Sequence, residues 1–123
     1  MLIDDNVDAI DALRGLLQEM GHQVSTAYDG ATGVALVQDL RPQVVVCDIV
    51  MPDVDGYTVI ARLREEIKGA MPLFIALTGY RRETDRSHAL EVGFDDHLVK
   101  PVDAEVLLNL IAHHESRGRL PLP

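Results

Sequence analysis

Five residues of this 123-residue chain could do chemistry together if folding gathered them: Asp4, Asp5, Asp48, Thr78 and Lys100. Each stands at the end of a short apolar run. Asp4 and Asp5 follow Leu2-Ile3, Asp48 follows Val44 to Cys47, Thr78 follows Leu73 to Leu77, and Lys100 follows His97-Leu98-Val99. Three carboxylates held close repel one another unless a cation joins them. Mg²⁺ suits such a set, because it favours oxygen ligands and is usually held by one or two carboxylates with water and phosphate oxygens. An ammonium and a hydroxyl alongside suit a phosphoryl group, one as a point charge and the other as a hydrogen-bond donor. An Asp carboxylate can itself be the nucleophile that takes such a group. Singly these residues say little, since an Asp behind a strand is often only a helix N-cap, and Asp5 or Asn6 could serve as one. The chemistry depends on a fold that collects them.

That fold is suggested by alternation. Short β-branched runs are each followed by a stretch with helical spacing, which argues for a parallel sheet covered on both faces. After Leu2-Ile3, apolar residues at Val7, Ile10, Leu13, Leu17 and Met20 predict a helix closed by Gly21. His22 to Ala27 reads as a second strand, and Asp29 as the cap of a helix ending before Pro42. Val44 to Cys47 is apolar without alternation, as in a strand buried on both sides. A turn-rich stretch from Met51 to Gly56 leads into a helix with Val59, Ile60, Leu63 and Ile67 on one face. Leu73 to Leu77 is the fourth strand, Glu83 to Val92 a more polar helix, and His97 to Val99 the fifth strand. Asp103 then caps a helix with Val106, Leu107, Leu110 and Ile111 on one face. The reading is α/β: a doubly wound, five-stranded parallel sheet of (βα)5 type. In such sheets ligands bind outside the carboxyl ends of the strands, where all five chemical candidates lie.

Composition bounds the rest. One domain fits the length, over residues 1–115, with 116–123 as a tail or linker. Hydrophobic residues at 47% supply a core and exclude disorder of the whole chain. A formal net charge of −9 argues against direct nucleic-acid or membrane-surface binding and favours cations or basic protein faces. No apolar run approaches the ~20 residues of a membrane-spanning helix. Acidic residues directly after Met1-Leu2-Ile3 leave no basic signal region, and Cys47 has no internal cysteine partner, so a cytoplasmic setting is expected.

Together, Asp4-Asp5-Asn6, Asp48 through Gly56, Leu77-Thr78-Gly79 and Val99-Lys100-Pro101 resemble the receiver domain of bacterial two-component response regulators. The chemotaxis response regulator is its familiar single-domain member. The resemblance runs from Leu2 to about His114 and implies a flavodoxin-like receiver fold. It implies that Asp48 accepts a phosphoryl group from a phosphohistidine on a histidine kinase or phosphotransfer domain. It further implies that Asp4, Asp5, Asp48 and the Val50 carbonyl hold Mg²⁺, with Mn²⁺ as a substitute. Thr78 and His97 match the switch pair, and Lys100 the lysine that precedes a commonly cis proline. Val50 and Tyr80 match the positions flanking the phosphorylation site, where neither side chain is suited to orient a hydrolytic water. A homodimer would use the fourth helix, fifth strand and fifth helix. Such a chain is a signalling switch, stand-alone or cut from a hybrid sensor kinase, and not a metabolic enzyme.

Two departures stand out: the first strand has fewer residues before its acidic pair than receivers usually carry, and His97 replaces the usual Tyr or Phe. Competing readings fare worse. A Mg²⁺-dependent aspartyl phosphatase would need a second Asp two residues past its nucleophile, where Val50 stands. A nucleotide or flavin binder would want a Gly-rich loop after the first strand, where Asp4-Asp5-Asn6-Val7-Asp8 would repel phosphates instead. Cys47 reads as core, His113-His114 as solvated surface, and Arg81, Arg82 and Arg86 as charge balance or part of a docking face.

Overall fold

The structure is a computed structural model that describes residues 1–79 and 83–118. Strands β1 (Leu2–Ile3), β2 (Thr26–Ala27), β3 (Val44–Asp48), β4 (Leu73–Thr78) and β5 (Asp96–Val99) alternate with helices α1 (Val7–Glu19), α2 (Gly30–Leu40), α3 (Gly56–Glu66), α4 (Glu83–Val92) and α5 (Ala104–Ser116). All pairings are parallel, and the strand order is β2-β1-β3-β4-β5. This is the doubly wound architecture that the alternation predicts, with the switch in strand order between β1 and β3.

Alternation along each strand sorts the core into two layers. Leu2, Val46, Ile75 and Leu77 face α1 and α5, where they meet Ile10, Leu13, Leu17 and Leu107. Ile3, Val45, Cys47, Phe74 and Ala76 face the other helices and pack with Val37, Val59, Leu63 and Ala89. Because both faces of the central strands are covered, β3 and β4 read as unbroken apolar runs. Four helices start on side-chain caps. Asn6, Asp29, Asp55 and Asp103 accept hydrogen bonds from the backbone N–H groups of Ala9, Thr32, Thr58 and Glu105, respectively.

Several expectations need correction. The second strand pairs only at Thr26–Ala27, although His22 to Ala27 has the composition of a strand, because its sole neighbour β1 is two residues long. The helices predicted from Val7 to Met20 and after Asp103 are present, but of the residues that carry their period Val7, Met20 and Val106 are 44%, 47% and 51% exposed and lie outside the core. All three sit at helix ends, where the apolar stripe outruns the sheet. His114 is no free surface side chain, since its Nε2 lies 3.0 Å from Asp96 Oδ2 and ties α5 to β5. Arg81, Arg82 and the Arg86 side chain lie outside the described residues, as do residues 119–123.

One glycine is dictated by close approach. A Cβ at Gly56 would stand 2.5 Å from the carbonyl oxygen of Asp48 and 2.8 Å from Ile49 Cα, both backbone atoms with no room to yield. The Gly56 N–H donates to Ile49 O at 2.8 Å, which draws the start of α3 onto the end of β3. Gly56→Ala should therefore cost about 1–3 kcal/mol, as overpacking does. At Gly15, inside α1, a Cβ meets nothing within 4 Å, so Gly15→Ala should stabilise by ~0.5–1 kcal/mol. Thermal denaturation of the two variants should move in opposite directions; a Gly56→Ala protein as stable as the parent would contradict the packing argument.

Candidate functional site

The carboxyl edge of the sheet gathers the predicted residues. Lys100, one residue past β5, reaches over β4 to the strand-order switch. Its Nζ lies 2.9 Å from Asp4 Oδ2 and 3.1 Å from Asp48 Oδ2. Asp4 and Asp48 are only 3% and 4% exposed. Asp4 Oδ1 accepts a hydrogen bond from the Asn6 N–H at 3.0 Å, which fixes the turn from β1 into α1. Asp5 is exposed at the rim, yet carboxylate oxygens of Asp4, Asp5 and Asp48 can be chosen that all lie within 4.8 Å of one another. That spread suits one small cation with oxygen ligands.

Register explains how the site straddles the sheet. Asp48 shares the alternation of Val46, on the side of α1 and α5, and Thr78 shares that of Ala76, on the opposite side. Thr78 is 5% exposed, and its carbonyl accepts the Lys100 N–H at 2.8 Å, which ties the two strand ends together. His97 stands opposite Ala76 in register, on the same side as Thr78, and its Nδ1 is buried with no hydrogen-bond partner among the described residues. The Lys100–Pro101 peptide bond is cis. Val50 lies two residues past Asp48, 74% exposed between the buried Ile49 and Met51. Tyr80 lies outside the described residues.

Charge in this crevice is unbalanced. Burial, and after it the neighbouring Asp4 charge, pushes the Asp48 carboxyl up from 3.8 to about 6, against the opposing pull of Lys100. For Lys100, burial alone would lower the pKa, but hydrogen bonds and charge attraction from Asp4 and Asp48 prevail and raise it. Burial, reinforced by the charge of Asp48, raises the Cys47 thiol far above its ordinary value. Its S–H points to the Asp48 carbonyl at 3.3 Å, so Cys47 is a core group and no nucleophile. Sequence reasoning missed the Asp96–His114 tie and the close approach at Gly56, because both depend on tertiary neighbours.

Comparison with known proteins decides the family. The family model for the response regulator receiver domain matches residues 1–112. The chain belongs to that family. Protein PilH of Pseudomonas aeruginosa is 36% identical over 90% of this receiver domain and 92% of its own length. An uncharacterised 14.6 kDa protein of Leptolyngbya boryana is 40% identical over 93% of this chain and 87% of its own length. Other relatives are transcriptional regulators of about twice the length. RpaA of Synechocystis, for example, is 35% identical across 45% of its chain. Among solved structures, chemotaxis protein CheY4 of Vibrio cholerae superposes with a TM-score of 0.84 at 27% identity, over 91% of this chain and 93% of that one. The receiver is thus a regulatory domain of two-component signalling rather than a metabolic enzyme.

The raised pKa of Asp48 makes a testable statement about stability. Between 3.8 and about 6 the folded protein holds a proton that the unfolded chain has released. Asp48 therefore contributes stability that is present in acid and lost as the pH rises through about 6. Asp48→Asn should melt higher than the parent at pH 7 without divalent cations, by on the order of 2 kcal/mol. The two should converge below pH ~4, near the ordinary Asp value. Thermal melts across this range check it; equal stability at pH 7 would contradict the assignment.

Proposed function

We propose that this receiver is a phosphoacceptor switch in which Asp48 takes a phosphoryl group from the phosphohistidine of a histidine kinase or phosphotransfer domain, in a Mg²⁺-dependent reaction. The observation behind this reading is electrostatic: three carboxylates share one ammonium, which leaves two negative charges in excess. One divalent cation balances them. The oxygen-only donor set fits Mg²⁺, with Asp4, Asp5, Asp48 and the Val50 carbonyl as its ligands and Mn²⁺ as a substitute. Bound there, the metal ion would neutralise the carboxylates and shield the oxygens of the incoming phosphoryl group.

The chain's own groups then have distinct tasks. An Asp48 carboxylate oxygen attacks phosphorus in line as the bond to the donor imidazole nitrogen breaks, and the departing ring nitrogen keeps the electron pair. Lys100 pairs with Asp4 as well as Asp48, so its ammonium would keep one anchor while it pairs with a phosphoryl oxygen. Thr78 offers a hydroxyl to another phosphoryl oxygen. Drawing Thr78 inward frees space on the α4 side of the sheet, where His97 changes rotamer and gives its buried Nδ1 a partner. That change alters the α4, β5 and α5 face, where Leu90 and Val106 are exposed and where a homodimer would form.

Acetyl phosphate with Mg²⁺ is the direct test. Intact mass should rise by one phosphoryl group, and Asp48→Asn should abolish the gain. An equal gain in the variant overturns the assignment. Amide shifts should extend from the Asp48 loop into residues 83–99; shifts confined to the loop would remove the switch role of Thr78 and His97.

The flanking positions set how long the modification lasts. Val50 carries no carboxylate or amide to orient a hydrolytic water, and Tyr80, two residues past Thr78 in sequence, is a bulky aromatic at the other flanking position. The phosphorylated form should accordingly be long-lived, as suits a relay. Val50→Asn combined with Tyr80→Glu should speed loss of the phosphoryl group several-fold in excess Mg²⁺. Unchanged decay would refute the shielding while leaving Asp48 as acceptor.

A further inference from the structure

α3 and α4 meet along a seam. Tyr57 and Arg64 stand two helical turns apart and so share one face of α3. Each meets α4 or its end. The Tyr57 ring packs edge-on against His88, with centroids 4.3 Å apart. Arg64 Nη2 donates to the Gly93 carbonyl at 2.6 Å. The same guanidinium lies over the buried Phe74 ring, 5.7 Å from its centroid, within reach of a cation–π attraction. Gly93 is required at this contact on two counts. Its φ is +128°, a value that side chains avoid, and a Cβ would collide with Arg64 Nε. The chain leaving α4 is fastened as well. The N–H groups of Gly93 and Phe94 both donate to Ala89 O, at 3.2 and 3.0 Å. Asp95 N–H then donates to Phe74 O at 2.7 Å, and Phe74 N–H returns a bond to Asp95 Oδ2 at 2.8 Å. Ala89 and Phe94 are buried beneath these bonds.

We propose that Arg64 is a pin that holds the carboxyl end of α4 and makes Gly93 the pivot on which that helix turns. The inference rests on the phosphoacceptor reading of Asp48. A rod fastened at one end answers a displacement at its other end by rotating about the fastened one. The amino end of α4 follows Thr78 in the chain, so a pull on the Thr78 hydroxyl arrives at the end opposite the pin. Arg64 itself is anchored in α3, whose first residue is clamped onto the end of β3: Gly56 N–H bonds Ile49 O, and its Cα leaves no room for a Cβ beside the Asp48 carbonyl. Pin and phosphoacceptor therefore belong to one rigid unit, and the pivot stays fixed relative to Asp48 while α4 turns. The planar guanidinium suits the task, since it covers Phe74 with its face and bonds the Gly93 carbonyl at its edge. Arg64 is thus a positioning residue, remote from the reacting atoms.

The test uses Arg64→Met, which keeps an unbranched stem beside Gly93 and removes the donor. In the unphosphorylated protein, the amides of Gly93, Phe94 and Asp95 should exchange roughly fivefold faster than in the parent, the factor of one net hydrogen bond. Those of Val46 and Cys47 in β3 should not change. Leu107→Val loosens the core on the other face of the sheet and should do the reverse, speeding β3 and sparing residues 93–95. With acetyl phosphate and Mg²⁺, amide shifts along α4 of the parent should fade from Glu83 towards Gly93. In Arg64→Met they should persist through Asp95. Parental exchange at residues 93–95 in Arg64→Met overturns the pin, as does a Leu107→Val protein that matches it there. Shifts in the parent that peak at Gly93 overturn the pivot. If Asp48 takes no phosphoryl group, neither protein shows the shifts, while the exchange comparison still decides whether Arg64 holds the end of α4. The two readings therefore fail separately.

Discussion

Two nearly buried carboxylates sharing one lysine are the constraint on which this structure turns. Asp4 and Asp48 would not both stay charged in so dry a place without a countercharge. Lys100 supplies it from the far end of the sheet, at 2.9 and 3.1 Å. The strand order puts β1 beside β3, with β5 two strands away, and so brings these three side chains into contact. The ammonium does not finish the balance: burial first, and the Asp4 charge after it, keep the pKa of Asp48 raised against the pull of Lys100. Such an imbalance is the electrostatic ground for the cation and the phosphoryl group proposed above.

The rest of the sheet serves as a rigid mount for that cluster. The core strands alternate strictly between two apolar layers, so a one-residue slip would move Asp48 and Thr78 each to the opposite side of the sheet and exchange the side chains packed in each layer. Position along the strand is set equally firmly at Gly56, where the backbone of α3 comes too near the Asp48 carbonyl for any side chain. The loop from Ile49 to Asp55 is thus fixed at both ends. Asp55 closes it by capping α3, and Asp53 occupies its left-handed turn at φ +66°.

Much of this was legible in the sequence because each site residue directly follows an apolar run. A polar residue that ends a buried strand must lie at the sheet edge, and parallel strands share that edge. Asp4, Asp5, Asp48, Thr78 and Lys100 could therefore be placed together from type and order alone. What could not be read depends on neighbours distant in sequence. His22 to Val24 has strand composition but lies beyond the reach of the two-residue β1, which no local pattern reveals. His114 looks like a solvated surface residue until α5 is laid against β5 and Asp96 comes within 3.0 Å. Val7, Met20 and Val106 keep the helical period, yet period alone does not say where a helix runs past the sheet it covers.

The alternation that builds the core also bears on how a change at Asp48 could be felt elsewhere. Asp48 belongs by register to the side of α1 and α5, and Thr78 and His97 to the side of α4. Lys100 joins the two, with its ammonium on Asp4 and Asp48 and its backbone N–H on the Thr78 carbonyl. A group attached to Asp48 and grasped by Thr78 would therefore pull across the sheet edge rather than along one face. On the receiving side stands His97, whose Nδ1 is buried with no hydrogen-bond partner among the described residues. An unsatisfied buried nitrogen costs free energy in the resting arrangement, so a rearrangement that satisfies it needs little further driving force. In the switch role proposed for it, a histidine at position 97 would therefore make the resting arrangement the less comfortable one.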